Sequence, residues 1–536
     1  MTSFTADEIA LLARYVSDPN ENIFVVSGLT GIIGAVYARY SRSPTGFRET
    51  FLREFLNNGN LDPRRADELI ERVLVAYGDD SVGELEGTHL SIENISILAT
   101  KEIEDRRIGG SPIEQSTRYI IYNTKDDNGR FRFFRDPKIM ASEFGQRCED
   151  TLNFVFQTYS ELVSLLQDYF KKLKPIEDTQ YAIRAGDERE YMLSDLSEER
   201  DLRAFRLTYK NDIKTKACDV TRVLLPAATL TNIGIFGNGR FFQGLLSHLY
   251  TLDAFEMNDI AARAHTALNT VMPRYVKRAS RSYYLHSVDE NMKDLSNSIF
   301  SSVTPDNDED VVLLDNPKND KEYMDFLLAV MLYKYSLCPM RQIRSVISKL
   351  PDERKIEIFN TYICNRENRR NRPGRALEFG YPLTFDLTLD YGDYRDLERH
   401  RILTQERQML TPDIDFVISD EIDAVGFRGR VNEAVERSAE LYNLLKKDFP
   451  YEAQYAVLLG FKIRWMVGMN PREAMHMLEL RTGKQGHPRY RAMCQSMHNL
   501  ISQRWPLIGE SMSFVDHRSY YWSRAESEAG QRRREK

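Results

Sequence analysis

Ile235–Leu246 reads IFGNGRFFQGLL, and Val467–Leu478 reads VGMNPREAMHML. The two strings share an Asn-x-Arg core in which Asn238 pairs with Asn470, an offset of 470 − 238 = 232. Upstream, Ala38-Arg39-Tyr40-Ser41 pairs with Tyr333-Lys334-Tyr335-Ser336 at 335 − 40 = 295. That same offset sets Arg106 of EIEDRRIGG on Arg401 of LERHRILT and the Ser81 region on Arg375-Ala376. Three ordered matches at two offsets identify a tandem repeat. The offset falls by 295 − 232 = 63, so the first copy carries extra residues, assigned to the charged stretch at about 124–214. The copies are expected at 1–300 and 322–536, joined by an acidic, turn-rich linker over 301–321.

A chain of 536 residues exceeds one ordinary core. Apolar residues make up 42% and charged residues 29%, a soluble globular balance. The net charge of −7 argues against a protein that coats a nucleic acid polymer, but leaves room for a local basic pocket. No apolar run approaches a membrane span. The start, MTSFTADEIALLARYVSD, carries early acidic residues and resembles neither a signal nor a transit peptide. Five dispersed cysteines, none in a CxxC pair, suit reduced thiols and supply no metal framework. A cytoplasmic protein with no metal site is expected.

Locally the chain is mixed and helix-rich. ADELIERVLVAYG has helical spacing and ends at Gly78; NRENRRNRPGRALE is a basic loop; YPLTFDLTLDYG alternates as a strand through Tyr381, Leu383, Phe385, Leu387 and Leu389. PREAMHMLELRTG is a helix with Pro471 in its first turn, Asn470 as a cap and Arg481 near its end. Arg472 and His476 share one of its faces.

Two strings then give the chain a specific resemblance. Arg399-His400-Arg401 stands in the second half, and Glu114-Gln115-Ser116-Thr117-Arg118-Tyr119 in the first. Together they resemble the front and back of the RHR…E-x-S-x-R-Y signature of the flavin-dependent thymidylate synthases. The resemblance implies an α+β fold of two tandem domains of that family, each with helices packed on a mostly antiparallel sheet. It implies FAD as cofactor, NADPH and methylenetetrahydrofolate as co-substrates, and a small-molecule nucleotide as substrate. No nucleic acid polymer and no membrane partner is expected, and by analogy the chain forms a homodimer, a pseudo-tetramer of repeats.

Neither half carries the whole signature, and the losses are complementary. The second half keeps RHR and the closing Arg481, eleven residues after Asn470 (481 − 470 = 11), where the first half has Leu249. The first half keeps the Glu114–Arg118 loop and Arg222 of TRVLLP, where the second half has Gln454. Since each family site is built across two subunits, the resemblance implies one composite site in this chain. Arg399, Glu114, Gln115, Ser116, Thr117, Arg118, Arg222 and Arg481 would bind substrate. Arg118 and Arg222 suit a phosphate because guanidinium forks match its oxygens. Arg481, against the uracil edge, is the catalytic candidate. The flavin would be met by Ser81, Glu114, Asn238, Arg240, Arg399, His400, Arg401, Asn470, Arg472 and His476.

The pattern departs from the family in places. Asp396 stands where a Gln precedes the RHR, Glu398 adjoins Arg399, and Gly78-Asp79-Asp80 replaces the loop that carries a flavin-facing His. Three readings stay open: dUMP methylation, a flavin paralogue acting on another nucleotide or without folate, and a non-catalytic flavin or nucleotide binder. Each element also has an ordinary use when taken alone. Asn238 and Asn470 can cap helices, Arg481 can complement a helix C-terminus, and RHR can be a solvated surface.

Overall fold

The structure, a computed structural model, describes residues 4–41, 43–57, 60–61, 68, 80–184, 187, 189–364, 374–522 and 529–530. The expected helix ending at Gly78 (apart from Glu68), the first nine residues of the basic loop, and Gly78 and Asp79 lie outside the described residues.

The chain divides into two compact units. One comprises Met1–Asn94, Glu102–Glu114 and Asn232–Tyr283; the other comprises Ile95–Lys101, Gln115–Thr231 and Tyr284–Lys536. The first is centred on a three-stranded sheet of β1 (Gly87–Ser96), β2 (Gly110–Glu114) and β3 (Leu230–Asn238), in the order β1-β3-β2. β2 runs antiparallel to β3, with Gly110 opposite Gly237 and Glu114 opposite Ile233. The second unit holds β4 (Val311–Leu313), β5 (Leu383–Asp390), β6 (Thr404–Arg407) and β7 (Lys462–Met469), in the order β6-β7-β5-β4. All three of its pairings are antiparallel.

The repeat is visible in these topologies. β5, β7 and β6 take the order of β1, β3 and β2, and β4 adds an outer strand. α1 (Ile97–Glu104) follows β1 as α4 (Tyr391–Leu397) follows β5. α3 (Gly239–Thr251) follows β3 as α5 (Pro471–Arg481) follows β7, with starts again 471 − 239 = 232 residues apart. The fold is α+β, built from two tandem copies. Within residues 124–214 the main element is α2 (Gly145–Leu173), and Val311–Leu313 pairs with β5 inside the 301–321 segment.

β5 forms because Leu383, Phe385, Leu387 and Leu389 alternate with Thr384, Asp386 and Thr388. Alternation suggests one wet face, but every residue of β5 is buried. The polar face survives burial through hydrogen bonds: Tyr333 Oη donates to Asp386 Oδ1 at 2.5 Å, and the Met340 amide donates to Oδ2 at 2.8 Å.

Within the second unit, segments from both halves of the sequence meet around a local two-fold. Pro226 and Leu458 face each other in an antiparallel bridge. The Ala227 amide donates to the Val457 carbonyl and the Leu459 amide to that of Leu225, both at 2.8 Å. Each residue is thereby paired symmetrically about its own equivalent, since 457 − 225, 458 − 226 and 459 − 227 all equal 232. This is the self-complementary geometry of an isologous contact.

Candidate functional site

β5 ends at Asp390, whose carboxylate caps α4 by accepting from the Asp393 amide at 3.0 Å. Asp390, Asp393 and Asp396 are three residues apart, which sets them along one face. Arg222 from the first half reaches that face: Nη2 lies 2.5 Å from Asp393 Oδ1, and Nη1 lies 2.9 Å from Asp396 Oδ2. Gly392 allows the approach, because a Cβ there would stand 3.3 Å from Arg222 Nε and 3.0 Å from Asp390 Oδ1. Arg489 Nε completes the row, 3.0 Å from Asp390 Oδ2.

Arg118 belongs to the same buried cluster. Its Nε and Nη2 grip Asp219 at 2.6 and 2.7 Å, and Nη1 donates to Tyr490 Oη at 3.3 Å and the Gln485 carbonyl at 3.4 Å. Ser116 Oγ accepts from the Arg118 amide at 3.2 Å, and Thr117 Oγ1 accepts from Arg395 Nη1 at 3.2 Å. Burial alone would raise Asp219, but the charge and hydrogen bonds of Arg118 outweigh it and hold the carboxyl far below its usual range. Asp396 behaves alike: burial raises it, and Arg222, Arg118 and Arg399 bring it well below. Asp390 goes the other way, pushed up to about 6 by burial.

His487 joins the two carboxylate groups. Its Nε2 lies 3.3 Å from the Asp219 carbonyl and its Nδ1 lies 3.0 Å from Asp393 Oδ1. A carbonyl only accepts, so Nε2 carries the hydrogen and Nδ1 faces Asp393 Oδ1. Burial, then the charge of Arg222, pushes His487 well below its ordinary value, while burial pushes Asp393 up.

Beside this cluster, Arg481 Nε donates to His400 Nε2 at 2.9 Å. The hydrogen of His400 therefore sits on Nδ1, which donates to Glu473 Oε1 at 3.0 Å. Burial, with Arg481 adjacent, lowers the His400 pKa and keeps the ring neutral. His476 packs edge-on against His400 with centroids 5.2 Å apart, and its Nδ1 is 3.6 Å from Glu473 Oε2. His400, Glu473 and His476 bring three potential metal-ligand atoms within 4.8 Å of one another, but both nitrogens of His400 are already engaged. Lys101 Nζ holds Glu398, one residue before Arg399, at 2.7 Å with both side chains fully buried.

Arg118, Arg222, Arg399, His400 and Arg481 thus share one neighbourhood of the second unit, linked through Asp396 and the segment 482–487. Arg401, Arg472 and His476 are exposed next to the His400–Glu473 contact. Gln115 uses its carbonyl to accept from Tyr122 Oη at 3.3 Å. Ser81, in the turn Asp80–Glu84, belongs with Glu114, Asn238 and Arg240 to the first unit. Asn238 and Asn470 cap α3 and α5, accepting from the Phe241 and Glu473 amides at 2.8 and 3.0 Å. Arg240 pairs with Glu84. Asp219, Asp393, Glu473, His487 and Arg489 belong to no motif of the sequence. Acidic residues at 390, 393 and 396, spaced three apart beside RHR, were the one signal that could have found part of this set.

Arg401 and Arg472 are exposed and adjoin His400 and Glu473 in sequence, and a planar anionic cofactor would meet arginine and imidazole groups there. Arg118 and Arg222 are already matched by carboxylates.

A tandem α+β chain with arginines and carboxylates of both halves in one centre is consistent with the class of thymidylate-synthase-like enzymes. The family model for the thymidylate synthase complementing proteins matches residues 33–294 and 341–507, and the chain belongs to that family. It is similar to the UPF0159 protein of Chlamydia muridarum, 35% identical over 535 residues and 96% of each chain. It is 34% identical to the UPF0159 protein of Chlamydia pneumoniae, over 96% of this chain and 95% of that one. The UPF0159 protein of Thermoplasma acidophilum is 30% identical over 502 residues, 92% and 97% of the two chains. Among the described residues no helix is long and apolar enough to cross a membrane.

Proposed function

We propose that this chain methylates the uracil ring of dUMP to give dTMP, with FAD as cofactor and methylenetetrahydrofolate and NADPH as co-substrates, in one composite site. The observation that carries the reading is the Arg222–Asp396 bridge, which joins an arginine of the first half to the residue three before Arg399. The flavin, when bound, supplies the reducing electrons. Arg399, His400 and Arg401 orient it, and Arg481 presents its Nη groups to negative charge developing on the pyrimidine, its Nε being tied to His400. Gln115, Ser116 and Thr117 form the wall beside Arg118. The repeat boundary is taken at 301–321, the active form as a homodimer, and the site of action as the cytoplasm.

A second reading, an FAD-dependent paralogue acting on another nucleotide, draws on the same bridge, because Asp396 places a carboxylate where the family has an amide. A non-catalytic binder is the third. Rescue of a thymidine auxotroph supports dUMP methylation, and failure of a well-expressed chain to rescue counts against it. Bleaching of the yellow purified protein by NADPH separates both enzyme readings from the binder.

A further inference from the structure

Arg481 closes α5, and the residue after it is bonded from outside the helix. Thr482 caps α5 and is fully buried. Its Oγ1 donates to the Leu478 carbonyl at 2.7 Å and accepts from the Asp516 amide at 3.0 Å. Its carbonyl accepts from Arg491 Nε at 2.8 Å, and Arg491 Nη2 donates onward to the Arg518 carbonyl at 2.9 Å. Three residues earlier, Glu479 Oε1 accepts from the Phe514 amide at 3.3 Å. Gln495 Nε2 donates to the Asp516 carbonyl at 2.8 Å. Gly486 lets the Arg491 stem lie close, because a Cβ there would stand 2.7 Å from its Cγ. The segment 512–522 has no helix or strand of its own, so bonds of this kind set its course.

Beyond Tyr520 the segment leaves α5 for helices of the first half. Lys216 Nζ lies 3.8 Å from the Tyr521 ring centroid, and Lys174 Nζ lies 4.8 Å from that of Trp522. The Trp522 ring meets Phe170 of α2 edge-on, with centroids 5.8 Å apart. Lys216 stands in the helix Glu199–Thr221, which also carries Asp219, the partner of Arg118. One stretch of chain thus joins the end of α5 to the helix that holds Arg118.

We propose that the segment 512–522 is a strap that positions Arg481, with Thr482 and Arg491 as its fastenings on α5. Helix ends fray because their last carbonyls lack partners within the helix. At α5 the strap and Arg491 supply partners there, so the backbone from which Arg481 reaches out stays fixed relative to Arg118. The proposal rests on the reading of Arg481 as the group that meets negative charge developing on the pyrimidine. A donor of that kind acts through its exact placement in the transition state, so a loosened strap lowers kcat and spares substrate affinity.

Thr482→Val keeps the buried shape but removes the hydroxyl that accepts from Asp516, and Thr482→Ser restores it. Hydrogen exchange of the full-length chain, with no ligand added, reads the fastening directly. The amides of Leu480 to Gly483 are expected to exchange about tenfold faster in Thr482→Val and within about twofold of wild type in Thr482→Ser. In steady-state assays of the FAD-loaded protein, Thr482→Val should lower kcat about tenfold with KM for dUMP within about twofold, and Thr482→Ser should recover kcat. Unchanged exchange in Thr482→Val overturns the strap, and so does faster exchange with an unchanged kcat. A wild-type chain that methylates no dUMP removes the reading of the reaction instead, and the exchange rates then decide the strap alone. If Thr482→Val does not fold, Trp522→Ala, at the half-buried far end, carries both measurements with the same expected directions.

Discussion

Arg481 Nε stands 2.9 Å from His400 Nε2, a hydrogen bond that spans 81 residues and fixes both partners. The arginine closes α5 and the histidine follows α4, so the bond joins the ends of the two helices that succeed the long strands of the second unit. Glu473, in the first turn of α5, holds the far side of the imidazole.

This relay sets the first prediction. Arg481→Ala is expected to lower kcat/KM for pyrimidine methylation by about 10²–10³-fold, as loss of a charged donor at the reacting edge does. Its melting temperature should barely move, because the side chain is only half-buried. Glu473→Ala should lower the rate less, by freeing His400 to rotate. An activity unchanged in Arg481→Ala removes the residue from the chemistry.

Arg222→Ala removes from Asp393 and Asp396 the guanidinium that bridges them in a dry setting. The expected destabilisation is about 3–5 kcal/mol, read from urea denaturation. Adding Asp396→Asn to that variant should recover part of the loss, since one stranded charge is gone. Equal stability of the single and double variants would show that the bridge carries little.

The elevated Asp390 makes stability depend on pH. Its folded pKa, about 6, lies above the 3.8 of the free side chain, so the native state binds the extra proton between these values. The contribution is complete below about pH 4 and lost as pH rises through 6, at most about 3 kcal/mol. Asp390→Asn keeps the cap and abolishes the titration. Its stability relative to wild type should therefore improve between pH 4.5 and 7.5, and a constant difference across that range would refute the assignment.

Trp465 tests the core rather than the site. It is fully buried in β7 and donates from Nε1 to Gln405 Oε1 at 3.0 Å. Trp465→Ala leaves a large cavity and an unsatisfied buried amide, an expected cost of about 3–5 kcal/mol by chemical denaturation.

What could be read from the sequence was local or periodic. The paired Asn-x-Arg strings become capped helices after β3 and β7, and YPLTFDLTLDYG becomes β5. The burial of both faces of β5 was hidden, because it depends on Tyr333 and the Met340 amide arriving from elsewhere to meet Asp386. The arginine runs stood out, but their partners did not. Arg118 and Asp219 are 101 residues apart, and Arg222 and Asp393 are 171 apart. No spacing rule connects such pairs; only the folded chain decides that a guanidinium meets a carboxylate and not solvent or ligand.

The Pro226–Leu458 bridge bears on how such a site can change. In a dimer of identical chains every substitution arrives twice, so an arginine lost from one side of the axis is lost from the other. Here the two sides are separate codons of one gene. Arg222 can stay while its equivalent, Gln454, turns to bonding the Leu410 amide and the Tyr451 carbonyl. Fusion releases the two copies from enforced identity, so each can give up a residue that the other keeps.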